Sequence, residues 1–223
     1  MVADTVDGRT PRPLLTLGPV DLVRVQVGYR VEPEGAAYQH FLLDVPVPEP
    51  SNPRDRGGVD DARILAALEP VLYAGAERPR HYSVHQHRWH TSWGPSPGAL
   101  EIGILVTTGA VATLVLKASR ESVTRAFRDL LEVVGRPTPV ATSRDTAILT
   151  ARRSAATAYA LDPEALSLSV EEHRPAENSW TVGLRATSGE EYDVVVGLVD
   201  GYARSVEVRR VERVEVFDSV GSE

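Results

Sequence analysis

The stretch Ala99-Leu100-Glu101-Ile102-Gly103-Ile104-Leu105-Val106-Thr107-Thr108-Gly109-Ala110-Val111-Ala112-Thr113-Leu114-Val115-Leu116-Lys117 decides how this chain is read. No charge stands between Glu101 and Lys117. From Lys117 onward the pattern is amphipathic. Val123, Phe127, Leu130, Leu131 and Val134 recur at helical spacing. Lys117, Arg120, Glu121, Arg125, Arg128, Asp129 and Glu132 form the wet face. Glu121 with Arg125, Arg125 with Asp129, and Arg128 with Glu132 are opposite charges four residues apart, which support a helix. Read as one element, 99–134 is a long helix, stopped by Gly135-Arg136-Pro137-Thr138-Pro139.

A helix that is apolar on all sides has to be covered on all sides. Three covers are open for 102–116. The first is the rest of the chain. The second is another subunit or a protein partner, approached through the small residues Gly103, Thr107 and Ala110. The third is lipid. The uncharged run is 15 residues long, whereas a span needs about 20, so a membrane anchor is the least favoured of the three. The valines and threonines are modest helix formers. The alternative is therefore a strand that gives way to a helix near Ala112.

Just upstream lies His81-Tyr82-Ser83-Val84-His85-Gln86-His87-Arg88-Trp89-His90, which holds four of the six histidines. As a strand it places His81, Ser83, His85, His87 and Trp89 on one face. His85 and His87 then sit about 6.6 Å apart along the strand, at ~3.3 Å per residue. Two imidazoles at this spacing are candidate ligands for a divalent metal such as zinc, nickel or copper. His90 points away and no third ligand is placed nearby. The competing reading is a polar strand face. Trp89 ends this strand and Trp93 opens the turn Trp93-Gly94-Pro95-Ser96-Pro97-Gly98; with Arg88 they are candidates for an interaction patch.

Working outward, 1–19 is a lead-in punctuated by Gly8, Pro11, Pro13 and Pro19, with no period. Val23, Val25, Val27, Tyr29 and Val31 alternate as one face of a strand. Phe41, Leu43, Val45 and Val47 do the same after the turn Glu32-Pro33-Glu34-Gly35. Asp60 or Asp61 caps a helix whose buried stripe is Ile64, Leu65, Leu68, Val71 and Leu72, with Pro70 inside it. The expected N-terminal domain, 20–135, is thus β-β-α-β-α: an antiparallel sheet with both helices on one face.

The C-terminal part, 142–217, opens with a helix capped by Thr142 or Ser143 and contacting through Ile148, Leu149 and Tyr159. Four strand patterns follow, and Asp200-Gly201 between the last two is a strong hairpin signal. A tail, 218–223, closes the chain. The helix, then Trp180-Thr181-Val182, then Tyr192-Asp193-Val194-Val195-Val196, then the turn at Gly201, resembles small helix-plus-sheet modules of the PepSY or cystatin-like kind. The resemblance implies an α-β-β-β-β fold and a binding or regulatory role. The fold class expected overall is α+β.

Composition narrows the function. A net charge of −7 argues against a nucleic-acid partner, because phosphate binding needs a basic face. Lys117 is the single lysine among 24 basic residues, the mark of a GC-rich, bacterial-type genome. There is no cysteine, so thiolate metal sites, disulfides and cysteine nucleophiles are excluded. The first residues carry neither a basic nor an apolar leader pattern, so the expected location is cytoplasmic. No phosphate-cradling glycine loop and no Gly-x-Ser-x-Gly elbow occurs. The expectation is a non-catalytic accessory protein that binds a protein partner or itself through 102–116. The alternatives are a metal protein using His85 and His87, and a membrane-associated protein anchored by 102–116.

Overall fold

The computed structural model describes residues 20–48, 59–89, 98–109, 113–139 and 141–211. These form one mixed sheet of eight strands and three α-helices. The first hairpin is as the alternation requires: β1 (Leu22–Arg30) pairs antiparallel with β2 (Ala37–Pro46). Val23, Val25, Val27, Tyr29, Phe41, Leu43 and Val45 are all buried on its inner face. Helix α1 (Asp61–Leu68) is capped by Asp60, whose carboxylate accepts from the amides of Ala62 and Arg63. Pro70 ends it early, and the chain continues as a short 3-10 turn, Glu69–Leu72.

The deciding stretch is two elements. Residues Ala99–Thr107 form strand β4, and helix α2 begins only at Thr113 (Thr113–Val134). The helix expected over 99–134 is therefore corrected, and with it the helical stripe of Gly103, Thr107 and Ala110. The reason lies in the side chains. Ile102, Ile104 and Val106 are β-branched and alternate, and all three are buried. The demand for cover on every side is met by an inner strand. β3 (His81–Trp89) flanks β4 on one side and β1 on the other, and the core lies beneath. β4 runs parallel to β1, so this half of the sheet is mixed, not antiparallel. No described helix is long and apolar enough to cross a membrane.

From Thr113 the helical reading holds. Val123, Phe127, Leu130 and Leu131 are buried with Ala126, and the charged residues are exposed. The arginines do not bridge along the helix as expected. Arg120 donates twice to Glu207 (2.8 and 2.9 Å), and Arg128 donates to Asp200 (3.2 Å). Arg120 thus reaches a C-terminal strand, and Arg128 the turn that precedes it.

Helix α3 (Arg144–Tyr159), capped by Ser143, lies over the meander β5 (Leu166–Arg174), β6 (Ser179–Ala186), β7 (Glu191–Val199) and β8 (Ala203–Val211). It packs through Ala147, Ala151, Ser154, Ala155 and Ala156, not through Ile148 and Leu149, and Leu149 is 49 % exposed. Small residues bring this helix close to the sheet. The turn Asp200-Gly201 has positive φ at both positions (49° and 80°), as a tight hairpin requires.

The two halves share the sheet. β2 pairs with β8 in the strand order β3-β4-β1-β2-β8-β7-β6-β5. Leu42 and Val206, directly opposite one another, belong with the core under α3, whereas Phe41 and Leu43 belong with the core of α1 and α2. The helices thus lie on opposite faces: α1 and α2 cover one face of the first half, and α3 covers the other face of the second. Each half keeps one face without a helix of its own.

Candidate functional site

The uncovered face of the first half carries the odd-numbered residues of β3 and β4 and the even-numbered residues of β1 and β2. Register sets them in rows. One row runs His87, Glu101, Arg24, Asp44, Arg204 across five strands. From Glu101 onward its charges alternate. Arg24 grips Asp44 through Nε and Nη2 (2.8 and 3.0 Å), and this bond is the main cause that raises the Arg24 pKa. Gln26 donates to Glu101 (3.3 Å). The next row runs His85, Gly103, Gln26, Leu42, Val206.

The sequence-derived candidates divide as follows. His85 and His87 are exposed on the same face of β3, as their spacing requires. The His85 imidazole occupies the space beside Gly103, where an added Cβ would collide with the ring. Gly103 and Thr107 are on this same face, and the Thr107 hydroxyl accepts from Arg30 Nε (3.2 Å). Among the described residues no three metal-ligating side chains converge. Glu101 stands opposite His87 in register, but it takes the amide of Gln26. Trp89 ends β3, whereas Trp93 and Ala110 lie outside the described residues.

At its far end this face runs beneath α3 and forms a cleft of about 510 Å³. Its floor is Arg24, Gln26, Leu42, Asp44, Arg204 and Val206, and its wall is the Thr150, Arg153, Ser154 and Thr157 side of α3. The sequence pattern missed this site. Arg24 and Gln26 are visible as the polar positions of an alternating strand, but only the pairing of β2 with β8 brings Arg204 beside them.

The other end of α3 is locked down. The Tyr159 hydroxyl donates to the Tyr38 carbonyl (3.2 Å) and accepts from the Arg210 amide (3.0 Å), which ties the helix to β2 and β8. Burial pushes its pKa up to about 12. His40 meets the Tyr159 ring edge-on at 5.0 Å, and burial pulls its pKa down to about 4, so it is neutral at pH 7.

The outer strand β3 is the second notable surface. Among the described residues it pairs on one side only, with β4. Tyr82 and Val84 point to the helix-covered face yet remain 45 % and 42 % exposed, and Leu65 of α1 is 37 % exposed. Asp61 of α1 takes hydrogen bonds from Gln86 and Arg88 and so holds the helix against this strand. No protein-family model, curated protein or solved structure matches the chain.

Proposed function

We propose that the chain is a non-catalytic interaction protein of a bacterial-type cytoplasm, and that its docking surface is the outer edge of β3. The supporting observation is the character of that edge. It is nine residues long, contains neither lysine nor proline, and exposes Tyr82 and Val84. Natural edge strands that are not meant to pair are shortened, charged or interrupted. The one arginine of this edge, Arg88, is tied back onto Asp61, which leaves the strand suited to strand addition, in which main-chain bonds give affinity and alternate side chains give specificity. The expected partner is a protein segment in extended conformation, from another protein or a second copy. The first part of the apolar stretch 102–116 lies in β4, the buried strand that supports this edge.

The packing of α3 on β5 to β8 supports the likeness of 142–217 to PepSY or cystatin-like modules. The two separate cores support a reading as two modules joined at Gly135–Pro139. A metal held by His85 and His87 is the second reading, favoured by their shared exposed face.

The test uses light scattering and capture on immobilised chain, comparing the full chain with Tyr82→Glu and Val84→Lys. Loss of self-association or of the captured partner in both variants is the expected result. Retention of the same association by both variants would exclude the β3 edge.

A further inference from the structure

The alternating row on the uncovered face stops one charge short. Glu101, Arg24 and Asp44 each have a neighbour of opposite charge across the strand pairs, and the row ends on Arg204. The next position, on β7, is Leu198, which offers no carboxylate. Asp44 is already gripped by Arg24 through two bonds. Arg204 therefore faces the cleft without a partner among the described residues, and its Nε is buried and makes no hydrogen bond. Arg153 reaches the same cleft from α3 and has no partner among the described residues either. Three arginines and one carboxylate meet there, in a chain whose net charge is −7. An acidic protein that gathers a local positive excess into a concave site has the electrostatics of an anion receptor. A buried guanidinium N–H left unpaired is costly, and an oxyanion relieves that cost.

The rest of the cleft defines what accompanies the charge. Thr150, Ser154 and Thr157 supply hydroxyls along the α3 wall, and Leu42 and Val206 supply an apolar floor beside the arginines. At about 510 Å³ the space lies within the roughly 300–1,000 Å³ typical of small-molecule sites. The geometry points to a binding site for a small organic oxyanion, a phosphate or carboxylate. Its charged end lies between Arg153 and Arg204, and its apolar body rests on Leu42 and Val206. This inference stands on the cleft alone and is independent of the β3 edge.

Calorimetric titration of the full chain with inorganic phosphate, phenyl phosphate and benzoate tests it. Saturable binding of phenyl phosphate or benzoate, tighter than that of inorganic phosphate, is expected, and the better of the two identifies the headgroup. Arg153→Met and Arg204→Met each weaken that binding by roughly tenfold or more, the effect of deleting a charge-assisted hydrogen bond. Arg185→Met serves as the control. Arg185 is spent on Glu191 at the surface (2.7 Å), and its loss leaves affinity unchanged. Arg153 is exposed on α3, so its variant reports even where Arg204→Met disturbs folding. Absence of saturable binding by all three probes overturns the inference. So does unaltered affinity in Arg153→Met, or an equal loss in Arg185→Met.

Discussion

Lowering the pH from 7.5 to 4.5 should destabilise this protein through one side chain, His40. Burial holds its folded pKa near 4, against an ordinary value of 6.5. The folded state therefore binds fewer protons than the unfolded chain between those two values, and stability falls as the pH drops through that window. It is fully present above pH 6.5. At pH 4.5 the unfolded imidazole is almost wholly charged while the folded one is mostly neutral. The linkage integral at one pKa unit per 1.36 kcal/mol comes to at most about 2.5 kcal/mol, because the side chain is only partly buried. Carboxylates also titrate in this range, so the measurement has to be differential. His40→Phe keeps an aromatic ring against Tyr159 and removes the titration. Urea unfolding of both proteins at pH 7.5 and 4.5 should show the wild type losing up to about 2.5 kcal/mol more than the variant. Equal losses would refute the assignment of a buried neutral imidazole.

Four further outcomes can be read by the same unfolding assay. Gly75 has φ of 77°, and a Cβ there would stand 2.5 Å from the Ala118 Cβ, so Gly75→Ala should cost about 2–4 kcal/mol. Gly103→Ala meets only the exposed His85 ring and should cost less than about 1 kcal/mol, with His85 displaced in NMR spectra. A loss at Gly103 as large as that at Gly75 would contradict this geometry. Ala151→Leu places a larger side chain where α3 touches the sheet through alanine, and should cost about 1–3 kcal/mol or more; a neutral result would mean that the interface is loose. Tyr159→Phe deletes the hydroxyl shared by Tyr38 and Arg210, and should cost about 1–2 kcal/mol.

Much of the fold was legible where alternation was regular. β1, β2 and the hairpin at Asp200-Gly201 follow from period two and from turn chemistry. The charged half of α2 follows from period 3.6. The failure at 99–107 has a physical cause. A strand that is internal to a sheet is apolar at most positions, and over nine residues this looks like one side of a buried helix. Weighting Ile102, Ile104 and Val106 by their β-branching would have separated the two. α3 differs for another reason: its contact face is alanine, which hydrophobic spacing undervalues, while the larger Leu149 is exposed. The cleft was not legible at all. Arg24, Asp44, Arg153 and Arg204 are spread over 180 residues; strand register brings three of them together, and the packing of α3 adds Arg153.

The seam between β2 and β8 joins Gln39 to Glu207, 168 residues apart. Closing so long a loop is entropically slow, so it belongs late in folding. During synthesis the N-terminal strands can be complete while β8 has yet to be made. For that interval β2 is an open edge with Leu42 uncovered. The β8 of a neighbouring molecule fits that edge as well as the molecule's own. Exchange of β8 between copies is therefore the assembly error to expect at high expression, and a chain cut after α2 would carry that open edge permanently.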